Sequence, residues 1–202
     1  ASDVYKRQML AHMSLWEGAR RAEAPTHAFR HNDVGHLARL MQRNGPGLVI
    51  VDSVYSTTGS VAPLRELVEA AEAAGSMILV DESHSLGTHG PQGAGLCVEL
   101  GISHRVHFIT ASLAKAFAGR AGYFNIPAGL RNYIMSTSHH NIFSSCLLPH
   151  EVAALNATLD VIVQADVERR RLQHISRRVR DELIAPIRWS PGSPARSSAR
   201  RR

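Results

Sequence analysis

The sequence predicts an α/β domain with a mainly parallel sheet and flanking helices, and three observations predict it. Leu48–Asp52, Met77–Asp81 and Val106–Thr110 are short apolar runs of strand length, each closed by a polar residue. A helical pattern from Pro63 to Ala74, with Leu64, Leu67, Val68 and Ala71 on one face, separates the first two. A loop punctuated by Gly87, Gly90, Gly93 and Gly95 separates the second from the third. Strands alternating with such segments imply right-handed crossovers and parallel pairing. Functional sites in sheets of this kind collect at the carboxyl ends of the strands, where Asp52, Asp81 and Thr110 all stand.

The remaining elements follow in order. Gly122 to Ile126 reads as a further strand, and Pro127 suits the first position of a helix running to about Ser136. Residues 149–186 read as one long helix from Pro149 to Ile184, with Val152, Leu155, Leu159, Ile162 and Val163 as its apolar stripe and an arginine-rich second half. Residues 1–8 match nothing that precedes a strand or helix and read as a non-native leader. Residues 187–202 form a basic, low-complexity tail without apolar periodicity. No internal repeat is present.

Composition narrows the classes of function. The chain has 202 residues, 44% of them hydrophobic, enough for one sizeable core. Its net charge of +6 comes mainly from the tail, where five arginines and no acid leave 18 basic against 17 acidic residues elsewhere. The basicity therefore does not mark a nucleic-acid face on the domain. No run approaches 18 consecutive apolar residues and no secretory h-region follows Lys6 and Arg7, so no membrane partner is expected and a cytoplasmic location is. Cys97 and Cys146 are far apart and lack ligand spacing, which argues against a disulfide framework and against a metal site; both read as buried free thiols.

Two short motifs carry chemistry. Asp81-Glu82-Ser83-His84 follows a strand, and Ser112-Leu113-Ala114-Lys115 follows the next. An acid and a histidine three apart at one strand end, with a lysine at the next junction, is what pyridoxal phosphate (PLP) requires: a lysine for the Schiff base and an acid to keep the pyridine nitrogen protonated. Each motif has a rival reading. Asp-Glu-Ser-His also fits a DExH helicase box, but the phosphate loop G-x-x-x-x-G-K-[ST] is missing. Ser112-x-x-Lys115 also fits the S-x-x-K of penicillin-binding enzymes, without its S-D-N and K-T-G partners.

With His12-Met13-Ser14, His31-Asn32-Asp33, Asp52-Ser53-Val54-Tyr55-Ser56 and Phe143-Ser144-Ser145, these motifs form an ordered set. The set resembles the α-oxoamine synthases, fold-type I PLP enzymes that condense an amino acid with an acyl-coenzyme A. It is most similar to the branch that makes α-hydroxyketone quorum-sensing autoinducers. The resemblance covers about Met9 to Ala185. It implies that residues 9–148 are part of the PLP-binding large domain, with an aspartate aminotransferase-like fold, and that residues 149–186 lead toward a missing small domain. The family's amino-terminal segment, glycine-aromatic loop and carboxyl-terminal domain have no counterpart here, so the chain is expected to be an interior fragment.

Carried over residue by residue, the resemblance implies catalytic roles for Lys115, His84 and Asp81. Lys115 would hold the cofactor and later remove the Cα proton. Asp81 would pair with the pyridine nitrogen, and His84 would bond the phenolic oxygen. Among the other cofactor contacts, His12 would stack on the ring, Ser56 would add a polar contact and Ser112 would hold phosphate oxygens. Ser145 would reach the phosphate of a neighbouring subunit, which implies a homodimer. Taken singly, His12 and Ser56 also fit surface or turn positions, and His31 and Asn32 fit a turn. Departures from the family pattern, with Ser85, Ala94, Ser112 and Ala118 at four motif positions, remove no cofactor ligand. The implied reaction gives an aminoketone with loss of CO2. The alternatives are another fold-type I enzyme, such as an aminotransferase or glycine C-acetyltransferase, and an inactive truncated fragment.

Overall fold

A computed structural model describes residues 5–184. The tail read as basic and low in complexity lies outside the described residues. Six strands form one sheet in the order β2-β1-β3-β4-β5-β6, with β1 Tyr5–Gln8, β2 Thr26–Phe29, β3 Leu48–Asp52, β4 Met77–Asp81, β5 Phe108–Ser112 and β6 Gly122–Asn125. All pairings are parallel except β5 with β6. The mainly parallel α/β architecture expected from the strand–helix alternation is the one found.

β3 and β4 have the bounds read from the sequence, because each is an apolar run closed by an acid. Their register pairs Leu48 with Met77 and, four residues on, Asp52 with Asp81. The connecting helix α3, Leu64–Ala73, buries Leu64, Leu67, Val68 and Ala71, the face that periodicity marked. With Val49, Val51, Ile78, Val80, Phe29 and Leu37 these side chains form the core.

Elsewhere the structure corrects the reading. Residues 5–8 of the segment read as a non-native leader, which was expected to match no strand or helix, form β1, the second strand of the sheet, held by main-chain pairing to β2 and β3. Its sequence Tyr-Lys-Arg-Gln carries no apolar signal, since strand pairing uses backbone groups that any residue carries. Helices α1, Met13–Arg21, and α2, Val34–Asn44, flank β2. Asp33 caps α2 by accepting the His36 N–H at 2.7 Å, so His31-Asn32-Asp33 serves a turn and cap. The third predicted strand lies two residues further on, because antiparallel pairing with β6 (Ala111 with Tyr123, Ser112 with Gly122) extends its carboxyl end. A 3-10 turn, Ala128–Leu130, precedes the helix Arg131–Thr137 that was expected to start at Pro127.

The single helix expected over residues 149–186 is two, Pro149–Gln164 and Asp166–Ile184, broken at Ala165 (φ −85°, ψ 36°). No glycine or proline marks the break. Arg169 holds it: the guanidinium donates to the carbonyls of Ile162 and Val163 at the end of the first helix, and to Asp166. Both carbonyls lie in the last turn, where the i+4 helical partner is lacking; that of Ile162 also accepts the Ala165 N–H at 3.2 Å. Cys97 is buried as expected, whereas Cys146 is exposed, because residues 143–150 lie on the surface.

Two positions yield stability predictions. Arg7 is buried in β1 against the Trp16 ring, and among the described residues its Nε and Nη1 have no hydrogen-bond partner. Burial, with Arg20 nearby, pushes its guanidinium down to about 10. Leaving a buried charged group unpaired is costly, so Arg7→Leu should raise unfolding stability by about 1–3 kcal/mol in urea titrations. Gly95 has φ +97°, and a Cβ there would overlap the Glu82 carboxylate. Glu82 is itself buried and accepts the Cys97 N–H at 2.6 Å, so it has little room to retreat. Gly95→Ala should therefore cost about 2–4 kcal/mol by the same measurement, combining left-handed backbone strain with overpacking.

Candidate active site

The carboxyl ends of β3, β4 and β5 deliver Asp52, Asp81 and Ser112 to one side of the sheet. The turn after β4 adds Ser83 and His84, the loop after β5 adds Lys115, and the segment before α1 adds His12 with Ser14. These eight residues line one cavity of ≈ 210 Å³. Five of the seven sequence-predicted site residues, His12, Asp81, His84, Ser112 and Lys115, thus meet in one place.

Hydrogen bonds fix the walls. Asp81 accepts the Ser83 N–H at 2.8 Å and the Thr110 hydroxyl at 3.0 Å. Ser83 Oγ accepts the Ser112 N–H at 2.7 Å, tying the β4 turn to the end of β5. Asp52 accepts the His12 N–H at 3.0 Å. The His12 ring is held by Ser14, whose hydroxyl lies 2.8 Å from Nδ1. Burial lowers the pKa of His84, as do the charges of Lys115 and His12, while Asp81 opposes them. The resulting preference is for a neutral imidazole that can bond without bringing a charge. Burial pushes the Asp52 carboxyl up to about 7, with Asp81 adding to the shift and the His12 N–H opposing it.

The Lys115 side-chain amine makes no hydrogen bond or ion pair among the described residues, and the residue is exposed at the cavity wall. The whole sequence contains one other lysine, Lys6, which is buried in β1 and donates to the Gly45 carbonyl. A single accessible side-chain amine therefore stands beside two acids, two imidazoles and serine hydroxyls. This donor set fits PLP, which needs an amine for its aldehyde, an acid for its ring nitrogen and hydroxyl or N–H donors for its phosphate.

Ser56 and Ser145 are not part of the cavity wall. Ser56 lies exposed in the turn closed by the Gly59 N–H and the Tyr55 carbonyl, 2.8 Å apart. Ser145 is exposed at φ 66°. Asp52, Ser14 and Ser83 are the lining residues to which sequence reasoning gave no role. For Asp52 a signal existed: it ends its strand with an acid, as Asp81 does.

The sequence pattern described as aminotransferase class I and II matches residues 9–196. The chain belongs to the class I and II aminotransferase family. Within it, the CAI-1 autoinducer synthase of Vibrio campbellii is 49% identical over 173 residues, which are 86% of this chain and 44% of that protein. The 5-aminolevulinate synthase 2 of Cereibacter sphaeroides is 38% identical over 172 residues, 83% of this chain and 42% of the relative. Among solved structures, the serine palmitoyltransferase of Sphingomonas wittichii superposes with a TM-score of 0.85 at 29% identity, over 90% of this chain and 46% of its own. The S. paucimobilis serine palmitoyltransferase with a bound PLP–myriocin aldimine gives 0.80 at 28%, over 85% of this chain and 45% of its own. These relatives are α-oxoamine synthases, the group the motifs resemble, and the group is PLP-dependent. The chain spans less than half the length of each.

Proposed function

We propose that the protein is a PLP-dependent acyltransferase that condenses an amino acid with an acyl-CoA, with decarboxylation, to give an aminoketone that is an autoinducer precursor. The observation that carries this reading is the convergence of His12, Asp81, His84, Ser112 and Lys115 on one cavity from three separate segments. The 49% identity to an autoinducer synthase supports the product class.

In this reading Lys115 holds the cofactor, Asp81 pairs with its ring nitrogen, His84 with its phenolic oxygen, and His12 covers the ring. Ser112 takes phosphate oxygens, Ser56 gives a further polar contact, and Ser145 serves the site of a second subunit in a cytoplasmic homodimer. PLP, when bound, supplies an electron-withdrawing ring that can take up the electron pair left at a substrate Cα. The chain's own residues do the rest. The Lys115 amine, free of competing partners, can accept the Cα proton and return one. His84, kept neutral by burial, can hold a phenolic oxygen without opposing the charge of Lys115. The Asp81 carboxylate is fixed by Ser83 and Thr110, so its oxygens do not have to reorganise when a cationic group arrives.

Supplying the protein with PLP, an amino acid and a long-chain acyl-CoA should release coenzyme A thiol and CO2 in equal amounts. Amino-group transfer to a 2-oxo acid without thiol release would instead favour an aminotransferase.

A further inference from the structure

Two acids stand side by side in this cavity, and their surroundings differ. Asp52 and Asp81 are register partners at the ends of β3 and β4, and both line the same wall. Asp81 accepts two hydrogen bonds. Asp52 is only 3% exposed and, among the described residues, accepts one, from the His12 main-chain N–H at 3.0 Å. His12 is the N-cap of α1, and its ring Nδ1 accepts the Ser14 N–H at 3.3 Å. The His12 backbone is thereby clamped between the end of β3 and the first turn of α1.

A buried carboxyl with a single hydrogen bond is a costly way to anchor a loop, since an apolar side chain would pack there without desolvating a charge. Buried, sparsely bonded acids of this kind cluster where a ligand makes use of them. We propose that Asp52 is a positioning residue of the cofactor site: through the His12 N–H it sets where the His12 imidazole stands, and beside Asp81 it adds a second acidic group to the wall a protonated pyridine would meet. The proposal rests on the PLP reading of the cavity.

The charged and titratable groups around Asp52 are Asp81 on β4, Tyr55 after β3, His12 ahead of α1, and His84 and Lys115 on the same wall. Because burial places the Asp52 carboxyl at about 7, its charge grows between pH 6 and 8. Attraction for a cationic ring grows with it.

The test is a PLP titration of the purified protein at pH 6 and pH 8, following cofactor absorbance for Kd and circular dichroism of the bound chromophore for ring orientation. Asp52→Ala should weaken binding about tenfold and lose most of the visible dichroism per bound cofactor, the fold-change expected when a buried hydrogen-bond partner is deleted. Asp52→Asn keeps an acceptor for the His12 N–H. It should restore the dichroism while losing the affinity gain between pH 6 and pH 8 that the wild type shows. Should Asp52→Ala fail to fold, the isosteric Asn protein carries the test alone. Wild-type Kd and dichroism in Asp52→Ala, or a wild-type pH response in Asp52→Asn, would overturn the proposal alone. A wild-type protein that attaches no PLP at Lys115 would overturn the cofactor reading and this proposal with it.

Discussion

Lys115→Ala should lower turnover by a factor of about 10³ or more and abolish covalent retention of PLP. The size follows from two losses at one position: the covalent anchor of the cofactor, and a proton-transfer group, which alone contributes about 10²–10⁴. The chain makes the experiment unusually clean. Its only other lysine, Lys6, is buried and donates to the Gly45 carbonyl. Borohydride reduction of the PLP-loaded protein should therefore fix the cofactor on the Lys115 peptide, as read by mass spectrometry, and on no other lysine. Reduction that labels Lys6, or a Lys115→Ala protein that keeps wild-type turnover, would remove Lys115 from its proposed role. Because Lys115 is exposed and its side chain takes no part in a hydrogen bond or ion pair among the described residues, its replacement should leave the unfolding midpoint unchanged. Loss of function can then be separated from loss of fold.

The second large effect is on stability. Asp52→Asn should make the protein more resistant to denaturant than wild type above pH 7, and the advantage should fade as the pH falls toward 4. Burial raises the Asp52 carboxyl from 3.8 to about 7 in the folded state. Between those values the unfolded chain has given up a proton that the folded protein still binds. The wild type therefore loses stability as pH rises through this window, and the loss is complete above about 7. A tenfold change in proton affinity is worth about 1.36 kcal/mol, so the full difference is roughly 4 kcal/mol at most. Asparagine cannot ionise and retains an oxygen for the His12 N–H, so it escapes the loss. Urea titrations of both proteins at several pH values measure the difference directly. Parallel stability curves would show that the Asp52 carboxyl is not desolvated as described. A residue whose removal stabilises the fold while damaging the site is the expected mark of a group retained for function.

What the sequence made legible, and what it hid, has physical causes. Leu48–Asp52 and Met77–Asp81 were readable to the residue, because each is an unbroken apolar run of strand length that stops at an acid. The α3 face was readable for the same reason, since burial imposes a helical period. β1 was hidden because Lys6, Arg7 and Gln8 carry no burial signal. The break at Ala165 was hidden because it depends on Arg169 reaching back to the carbonyls of Ile162 and Val163, a tertiary contact with no local signature. Five site residues were legible through local motifs. Asp52 was visible as a strand-end acid, but its bond to His12 spans 40 positions and follows only from how the chain comes together.

The alignment of β3 with β4 gives the site an unusual vulnerability. Asp52 and Asp81 are neighbours only because Leu48 pairs with Met77 and the count then runs evenly along both strands. Sliding one strand by a single residue would turn its acid to the opposite face of the sheet. Core residues such as Val49, Val51, Ile78 and Val80 thus act as a ruler for chemistry they never touch. Substitutions among them that leave overall stability intact can still disarm the cavity by misplacing one carboxylate relative to the other.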